Sequence, residues 1–126
     1  MRKISFKGKR VDNNEWEYGY LCRYGFAGTE KYYIIPYYAS DLYGIEVDPE
    51  TVGQFTGSYD KNEKGIFEGD ICKYNNYIGL ISFDEEKSMF IFTYGGDIEI
   101  DFSFISAKKL EVIGNIHDKP ELLEVQ

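Results

Sequence analysis

Apolar and aromatic residues recur at every second position along most of the chain, and clusters of Asn, Asp and Gly interrupt the alternation. A period of two residues is typical of β-strands with one buried and one exposed face. Within residues 4–24, a turn at Asn13-Asn14 separates two such runs, which predicts a β-hairpin. Its second strand places three aromatic side chains on one face, namely Trp16, Tyr18 and Tyr20.

The remainder of the chain continues this pattern after an interruption. Pro36 restricts any strand there to an edge or an ending, and residues 48–51, with Pro49 in first-turn position, predict a short helical turn. From residue 54 onward, strand-like segments follow at a spacing of about ten residues, as in a small barrel or sandwich. They are QFT, IFEGDICKY, YIGLISF, MFIFTY, DIEIDFSFI and KLEVIGNIHD, and KPELLEV then predicts a brief helix.

The stretch GQFTGSYDKNEKGIFEGD, residues 53–70, raises the question of a ligand-binding loop. Its glycines lie between strand-like segments, where they supply positive φ or close backbone approach. A phosphate loop needs glycines that open a helix and a Lys followed by Ser or Thr, and the stretch has neither. We therefore interpret it as turns within a β-sheet.

This stretch, together with LEVIGNIHDKPELLE and the opening hairpin, resembles the YopX family of small phage and prophage proteins across nearly the whole chain. The family positions present here are Thr51, Val52, Gly53, Gln54, Thr56, Gly57, Asp60, Lys61, Asn62, Gly65, Ile66, Glu68, Gly69, Asp70, Gly114 and Asn115. The turn departs from the pattern, because Glu63 replaces the Gly of a more usual Asn-Gly tip and Ser58-Tyr59 replaces a Leu-Lys pair.

The resemblance implies phage or prophage ancestry, a mainly β chain with an SH3-like barrel, and no established biochemical activity or catalytic residues. We expect an N-terminal hairpin unit with a tyrosine-rich connection over residues 1–51. An SH3-like barrel with a short C-terminal segment follows over residues 52–126. The family positions are expected to be structural.

Charge and cysteine content narrow the functional classes. The 126 residues carry a net charge of −8, but residues 1–40 carry +3 and residues 41–126 carry −11, which disfavours nucleic-acid binding over the whole surface. No apolar run is long enough for a membrane span, and residues 1–10 lack a secretion signal, so we expect a cytoplasmic protein. Cys22 and Cys72 lie in strand-like surroundings without metal-ligand spacing, and we interpret both as reduced core residues.

Three groups invite a chemical role. Asp70 follows Gly69, and we favour a carboxylate that accepts backbone N–H bonds over a ligand. The carboxylates of Asp97, Glu99 and Asp101, with Asp84, Glu85 and Glu86, suit either a hard cation or a solvated face, and we favour the solvated face. A nucleophilic pair of Cys72 and His117 is the weakest candidate, since neither flank carries a nucleophile motif. We predict no cofactor, no metal and no catalysis.

Two groups in the first unit invite an interaction role. Tyrosine combines a large apolar area with a hydroxyl at low entropic cost, which suits protein interfaces, although it also fills half-buried strand faces. The tyrosines in question are Tyr32, Tyr33, Tyr37, Tyr38 and Tyr43. The other group, Arg2, Lys3, Lys7, Lys9 and Arg10 with Trp16 and Tyr18, suits either single-stranded nucleic acid or a solvated strand edge.

The hypothesis that follows is a non-enzymatic protein that binds an unidentified protein partner or its own copies. The alternative is a nucleic-acid accessory protein, in which the basic hairpin binds single strands or the acidic face mimics DNA. We consider direct nucleic-acid binding the less favoured of the two classes.

Overall fold

A computed structural model describes residues 2–39 and 43–124. The chain divides into two compact units, Met1–Phe55 and Thr56–Gln126. Eleven described strands, all in antiparallel pairs where a register is defined, carry most of the structure, and the helical segments are single 3-10 turns. The prediction of a mainly β protein is confirmed.

The first unit contains a sheet in the order β4-β3-β2-β1-β5, and β5 runs on past Phe55 into the second unit. These strands are β1 (Phe6–Lys9), β2 (Trp16–Tyr24), β3 (Lys31–Pro36), β4 (Ile45–Val47) and β5 (Gly53–Tyr59). The predicted hairpin is confirmed as β1 and β2, and Asn14 in its turn has a φ of 62°. β3 ends at Pro36, and Pro49–Thr51 forms the predicted helical turn, capped by the Asp48 carboxylate.

One face of the first sheet forms a small apolar core. Ile34 and Ile45 lie opposite each other on β3 and β4, and Val47 follows on the same face. Gly8 of β1 lies against Val47, where an added Cβ would come within 3.0 Å of the valine side chain. A bridge between Arg10 and Val47 also pairs the residue after β1 with β4.

The second unit contains a five-stranded sheet in the order β10-β9-β8-β7-β11, and β6 lies beside β5. The strands are β6 (Gly65–Phe67), β7 (Asp70–Tyr74), β8 (Tyr77–Asp84), β9 (Met89–Tyr94), β10 (Ile98–Asp101) and β11 (Leu110–Asn115). Its core is a cluster of fully or almost fully buried residues: Ile66, Cys72, Ile81, Phe92, Ile105 and Leu110. A 3-10 turn at Pro120–Glu124 follows β11.

Three sequence predictions need correction. The segment IFEGDICKY is two strands, because Gly69 with φ 94° turns the chain between β6 and β7. The segment DIEIDFSFI is extended only to Asp101, where a 3-10 turn at Phe102–Phe104 begins. Consequently β10 and β11 remain the two ends of an open sheet among the described residues, and no closed barrel forms.

The cysteines also differ from the prediction. Both are free thiols, and Cys72 is fully buried in the core of the second unit. Cys22 is exposed, because it lies on the face of β2 that carries Tyr20 and Tyr24 rather than on the face that carries the Ile34 core. Only one of the two is therefore a core residue.

Candidate interaction surfaces

The tyrosine-rich segment does not form one surface. On β3, Tyr32 lies opposite Val47 and Tyr33 lies opposite Glu46, so successive side chains point to opposite faces of the sheet. Both are partly buried. Tyr37, Tyr38 and Tyr43 are more open, with exposed fractions of 43%, 76% and 64%. Strand alternation thus separates Tyr32 from Tyr33, and the five predicted residues do not share one surface.

The first surface, which we call the tyrosine rim, consists of Arg10, Glu17, Tyr38 and Tyr43. The Tyr38 hydroxyl donates to the Glu17 carboxylate at 3.3 and 3.4 Å, and Arg10 Nη1 donates to the same carboxylate at 3.4 Å. Arg10 also holds both oxygens of Asp12 at 2.9 Å. The network fixes the position of Tyr38 while leaving most of its ring exposed.

These contacts shift the pKa values of Arg10, Asp12 and Tyr38. The hydrogen bond from Arg10 lowers the pKa of Asp12, and the same bond raises the pKa of Arg10. Partial desolvation, followed by the negative charge of Glu17, raises the pKa of Tyr38, and Tyr43 adds to this increase. The raised pKa keeps the Tyr38 hydroxyl protonated near neutral pH, as the donor to Glu17.

The second surface, which we call the lysine–aromatic face, lies on the other side of the same sheet. The register pairs Lys7 with Tyr18 and Lys9 with Trp16, and directly opposed residues share a face. Tyr20 follows on this face, and its ring contacts Tyr37 edge-on with centroids 5.3 Å apart. The face consists of Lys3, Lys7, Lys9, Trp16, Tyr18, Tyr20 and Tyr37.

Lysine ammonium groups lie over two of these rings. Lys3 Nζ lies 4.7 Å from the centroid of the Tyr37 ring, and Lys7 Nζ and Lys9 Nζ lie 4.7 and 5.6 Å from that of Trp16. These distances are within the range of cation–π attraction. Lys7 is only 5% exposed, whereas Lys3 is exposed.

The turn between β2 and β3 carries two apolar side chains that the sequence reasoning missed. Phe26 is 87% exposed and Tyr24 is 74% exposed. Gly25, with φ 124°, turns the chain, and the Thr29 N–H and hydroxyl both bond to the Phe26 carbonyl. An aromatic residue between two glycines at a hairpin tip is the signal that could have found this site.

In the second unit, Asp60 organises the turn between β5 and β6. Its carboxylate accepts bonds from the backbone N–H groups of Asn62 at 2.8 Å, Lys64 at 2.9 Å and Val112 at 2.9 Å. Burial opposes the charged form, but these three bonds outweigh it and lower the pKa of Asp60. The side chain joins the turn to β11, 52 residues further along the chain.

The other family positions in this unit also bond or turn the backbone. The Thr56 hydroxyl accepts from the Ser58 N–H, Gly57 has φ 93°, and Gly65 begins β6. Gly114 lies at a register shift in β11, and Asn115 Oδ1 accepts from the N–H groups of the two residues that follow Ile116. Gly53 and Gln54 belong to the first unit, where they pair with Lys7 and Phe6.

The turn at Glu68-Gly69 is closed by Asp70, whose Oδ2 accepts from the Phe67 N–H at 2.8 Å. Asp70 is 3% exposed. The Gly69 N–H donates to the Ile81 carbonyl, and the Gly69 carbonyl accepts from the Ile116 N–H. This geometry gives Asp70 a backbone-binding role.

The remaining chemical candidates do not converge. Asp97 precedes β10, Glu99 is exposed on it, and Asp101 lies 3.7 Å from Lys87 Nζ. The Asp84 carboxylate caps its own hairpin turn, whose exposed positions include Glu85 and Glu86. Within residues 2–39 and 43–124, no three His, Cys, Asp or Glu side chains are grouped to hold a metal. Cys72 is fully buried and His117 is exposed beside Gly69.

A groove of about 500 Å³ lies beside the Asp60 turn. It is lined by Tyr59, Asp60, Lys61, Glu63 and Lys108. The Asp60 carboxylate is already bonded to backbone, and Lys61 Nζ lies 3.5 Å from Glu111. The groove therefore combines the Glu63 carboxylate with Lys108 and with Lys61, which is already paired with Glu111.

The chain matches a family of known proteins. The family model described as YopX protein matches residues 3–124. No curated protein matches the chain in sequence. In the part of the chain that the structure describes, no helix is both long and apolar enough to cross a membrane.

Proposed function

Because the chain belongs to the YopX family, we propose that it is a phage-type, cytoplasmic protein without catalytic activity that binds another protein or its own copies. The contact surface is the tyrosine rim together with the β2–β3 tip. The observation that carries the proposal is the exposure of Tyr24, Phe26, Tyr38 and Tyr43, which ranges from 64% to 87%. Exposed aromatic side chains of this kind are enriched at protein interfaces.

The local structure supports a binding role over a purely structural one. Tyr38 is held by Glu17 through its hydroxyl, so its ring is oriented before any partner arrives. Such preorganisation reduces the entropy lost on binding.

The test compares partner capture by the wild-type chain with capture by a Tyr38→Ser, Tyr43→Ser double variant. The matched control is Phe104→Ser, which removes a side chain of similar exposure, 81%, from the second unit. We expect the same host protein to be recovered with the wild type and the control but lost with the double variant. Static light scattering of each protein tests self-association, and equal recovery together with unchanged mass in all three would refute the proposal.

The second candidate function is a nucleic-acid accessory protein. A DNA-mimicking acidic face has little support from geometry, since only Glu99 and Asp101 share a face of β10 and Lys87 engages Asp101. Direct binding has a specific observation in its favour, the lysine–aromatic face of the first unit. Salt-dependent binding to oligonucleotides tests this candidate, and no binding at low salt would remove it.

A further inference from the structure

We propose that the outer edge of β10 in the second unit binds an extended segment of another protein, in which basic and apolar residues alternate, by adding it to the sheet as a further strand. The surface and the kind of partner go beyond the proposed function, which places contact on the tyrosine rim and the β2–β3 tip of the first unit. Three observations carry the proposal: the regular edge of β10, the engaged state of the opposite end of the sheet, and the side chains on the two faces of β10.

β10 ends the sheet with one side of its backbone open to a further strand. Its four residues, Ile98–Asp101, pair with β9 without a register shift, and none of the described strands pairs with the other side of β10. In an antiparallel ladder the bonding groups of successive residues point alternately to the two sides, so part of the β10 backbone points outwards. β10 contains no proline, which would remove such a donor. An edge of this length, about 14 Å, can pair with a short added strand.

The strand at the opposite end of the same sheet is already engaged. On β11, the Val112 N–H donates to Asp60 Oδ2 at 2.9 Å, and the Leu110 carbonyl accepts from the Lys61 N–H at 3.0 Å. The Asp60 turn therefore uses bonding groups of β11 that a further strand would need. β11 also has a register shift between Val112 and Gly114, which makes its edge irregular. Of the two ends of this sheet, β10 is the one suited to strand addition.

One face of β10 is apolar. Ile100 lies opposite Phe92 of the core cluster and packs against that cluster, and Ile98 lies on the same face nearer the β9–β10 turn. Ile98 is 49% exposed, so an added strand would bury more of it. Because directly opposed residues of neighbouring strands share a face, every second side chain of the added strand would lie beside these isoleucines. Apolar residues are therefore favoured at those positions of the partner.

The other face of β10 is acidic, because it carries Glu99 and Asp101. Glu99 is exposed and belongs to no ion pair within the described ranges, whereas Asp101 lies 3.7 Å from Lys87 Nζ. Opposite charges on directly opposed residues stabilise a strand pair, so lysine or arginine is favoured at the alternate positions of the partner. A second copy of this chain paired β10 to β10 is disfavoured, because its acids would lie opposite these acids when the isoleucines face each other.

The first experiment adds the synthetic peptide KVKVKVK to the full, isotope-labelled chain and follows amide hydrogen exchange of residues 97–101 by NMR. We expect exchange to slow at the β10 amides that point away from β9. Binding should weaken between about 50 and about 200 mM salt, because the charges involved are exposed. The peptide EVEVEVE has the same apolar positions and the opposite charge, and it should bind about tenfold more weakly or less.

Two N-methylated forms of KVKVKVK distinguish strand addition from attraction between charges alone. One form is methylated at the lysine amides and the other at the valine amides, and both keep the charge of the parent peptide. In a strand pair only every second residue of the peptide bonds to β10. One form should therefore lose binding and the other should keep it.

A charge reversal locates the site. Glu99→Lys should weaken KVKVKVK binding about three- to tenfold, since an attraction becomes a repulsion, and should strengthen EVEVEVE binding. A gain of binding to EVEVEVE cannot result from a damaged fold. Glu121→Lys is the matched control, because it makes the same change of charge at an exposed position in the 3-10 turn after β11. It should bind both peptides within about twofold of the wild type, since distant exposed charges are screened.

Each contrary result removes a stated part of the proposal. Equal binding of the two N-methylated forms would overturn strand addition, and equal losses in Glu99→Lys and Glu121→Lys would overturn β10 as the site. Slowed exchange in β10 that depends on chain concentration without peptide would make a second copy the occupant and overturn the basic partner. The Tyr38→Ser, Tyr43→Ser double variant should bind KVKVKVK as the wild type does, so failure at the β10 edge and failure of the proposed function are distinguishable.

Discussion

Replacing Asp60 with Asn should destabilise the second unit by about 2–3 kcal/mol, because one charge-assisted bond is lost and a donor replaces an acceptor. The amide oxygen of Asn can still accept from the Asn62 and Lys64 N–H groups at the exposed end of the turn. Its NH₂ group, however, would face the Val112 N–H, which now bonds to Asp60 Oδ2 at 2.9 Å. Asp60 is 3% exposed, so water cannot readily replace the lost acceptor.

The assay is urea unfolding at pH 7, followed by far-UV circular dichroism and by hydrogen exchange of the Val112 amide. Exchange is needed because two units can unfold separately, and it reports on the second unit alone. The matched control is Asp84→Asn. Asp84 accepts two backbone bonds in an exposed hairpin, so this substitution should lower the free energy of unfolding by less than about 1 kcal/mol. Similar free energies for the two variants, or an unchanged exchange rate at Val112, would refute the role given to Asp60.

The pH dependence of stability provides a second test of the hydrogen bonds made by the Asp60 carboxylate. The folded-state pKa of Asp60 is lowered, so the stability it contributes is fully present above its unfolded pKa of about 3.9. That contribution decreases as the pH falls through the lower folded-state value. The difference in unfolding free energy between wild type and Asp60→Asn should therefore be constant from pH 7 to about 5 and shrink below about 4. A difference that grows on acidification would contradict this assignment.

Three further substitutions test the packing and turns of the second unit by urea unfolding. Glu63→Gly should stabilise the fold by about 0.5–1 kcal/mol, because Glu63 has φ 62° and an L-residue with a side chain is strained there; a loss of stability would show that the turn relaxes. Gly79→Ala should cost about 1–3 kcal/mol, since the added Cβ would lie 2.5 Å from the Thr93 carbonyl and 2.7 Å from Phe92 Cζ; a neutral effect would show that β8 and β9 can separate. Phe92→Ala should cost about 3–5 kcal/mol, because Phe92 is fully buried in the core cluster, and a cost below about 1 kcal/mol would place the core elsewhere.

Much of the fold follows from short-range signals that the sequence contains. Residues 4–24 specify their hairpin because a tolerant turn residue, Asn14, separates two alternating runs. Pro36 ends β3 because it lacks an N–H, and Pro49 starts a helical turn because its φ is already suitable. Each of these features depends on one to four neighbouring residues, so a single sequence is sufficient to predict them.

Features that depend on partners far along the chain could not be predicted in the same way. The turn position of Asp60 indicates backbone bonding, but nothing local indicates that Val112 is one of the donors. DIEIDFSFI alternates throughout, yet the chain turns after Asp101, and Phe102 packs against the core from the turn. Closure of the sheet into a barrel depends on where strands end, which alternation alone does not determine.

The tyrosine rim and the lysine–aromatic face could likewise be predicted from the sequence only in part. The abundance of tyrosine in residues 32–43 indicates a role in contact, but the assignment of each ring to a surface depends on the β3 register. The register sends Tyr33 towards Cys22 and Tyr32 towards Val47. Lys3 and Tyr37 meet through folding alone, since 33 intervening residues separate them in the sequence.

The alternation of side chains on β3 also sets which changes in length this segment can accept. Removing one residue between Lys31 and Pro36 would exchange the inward and outward positions, so that Ile34 would meet solvent and a tyrosine would enter the Ile45 pocket. Removing two residues would leave each remaining side chain on its present face of the sheet. Natural variants of this segment should therefore differ in length by even numbers, and engineered insertions should follow the same parity.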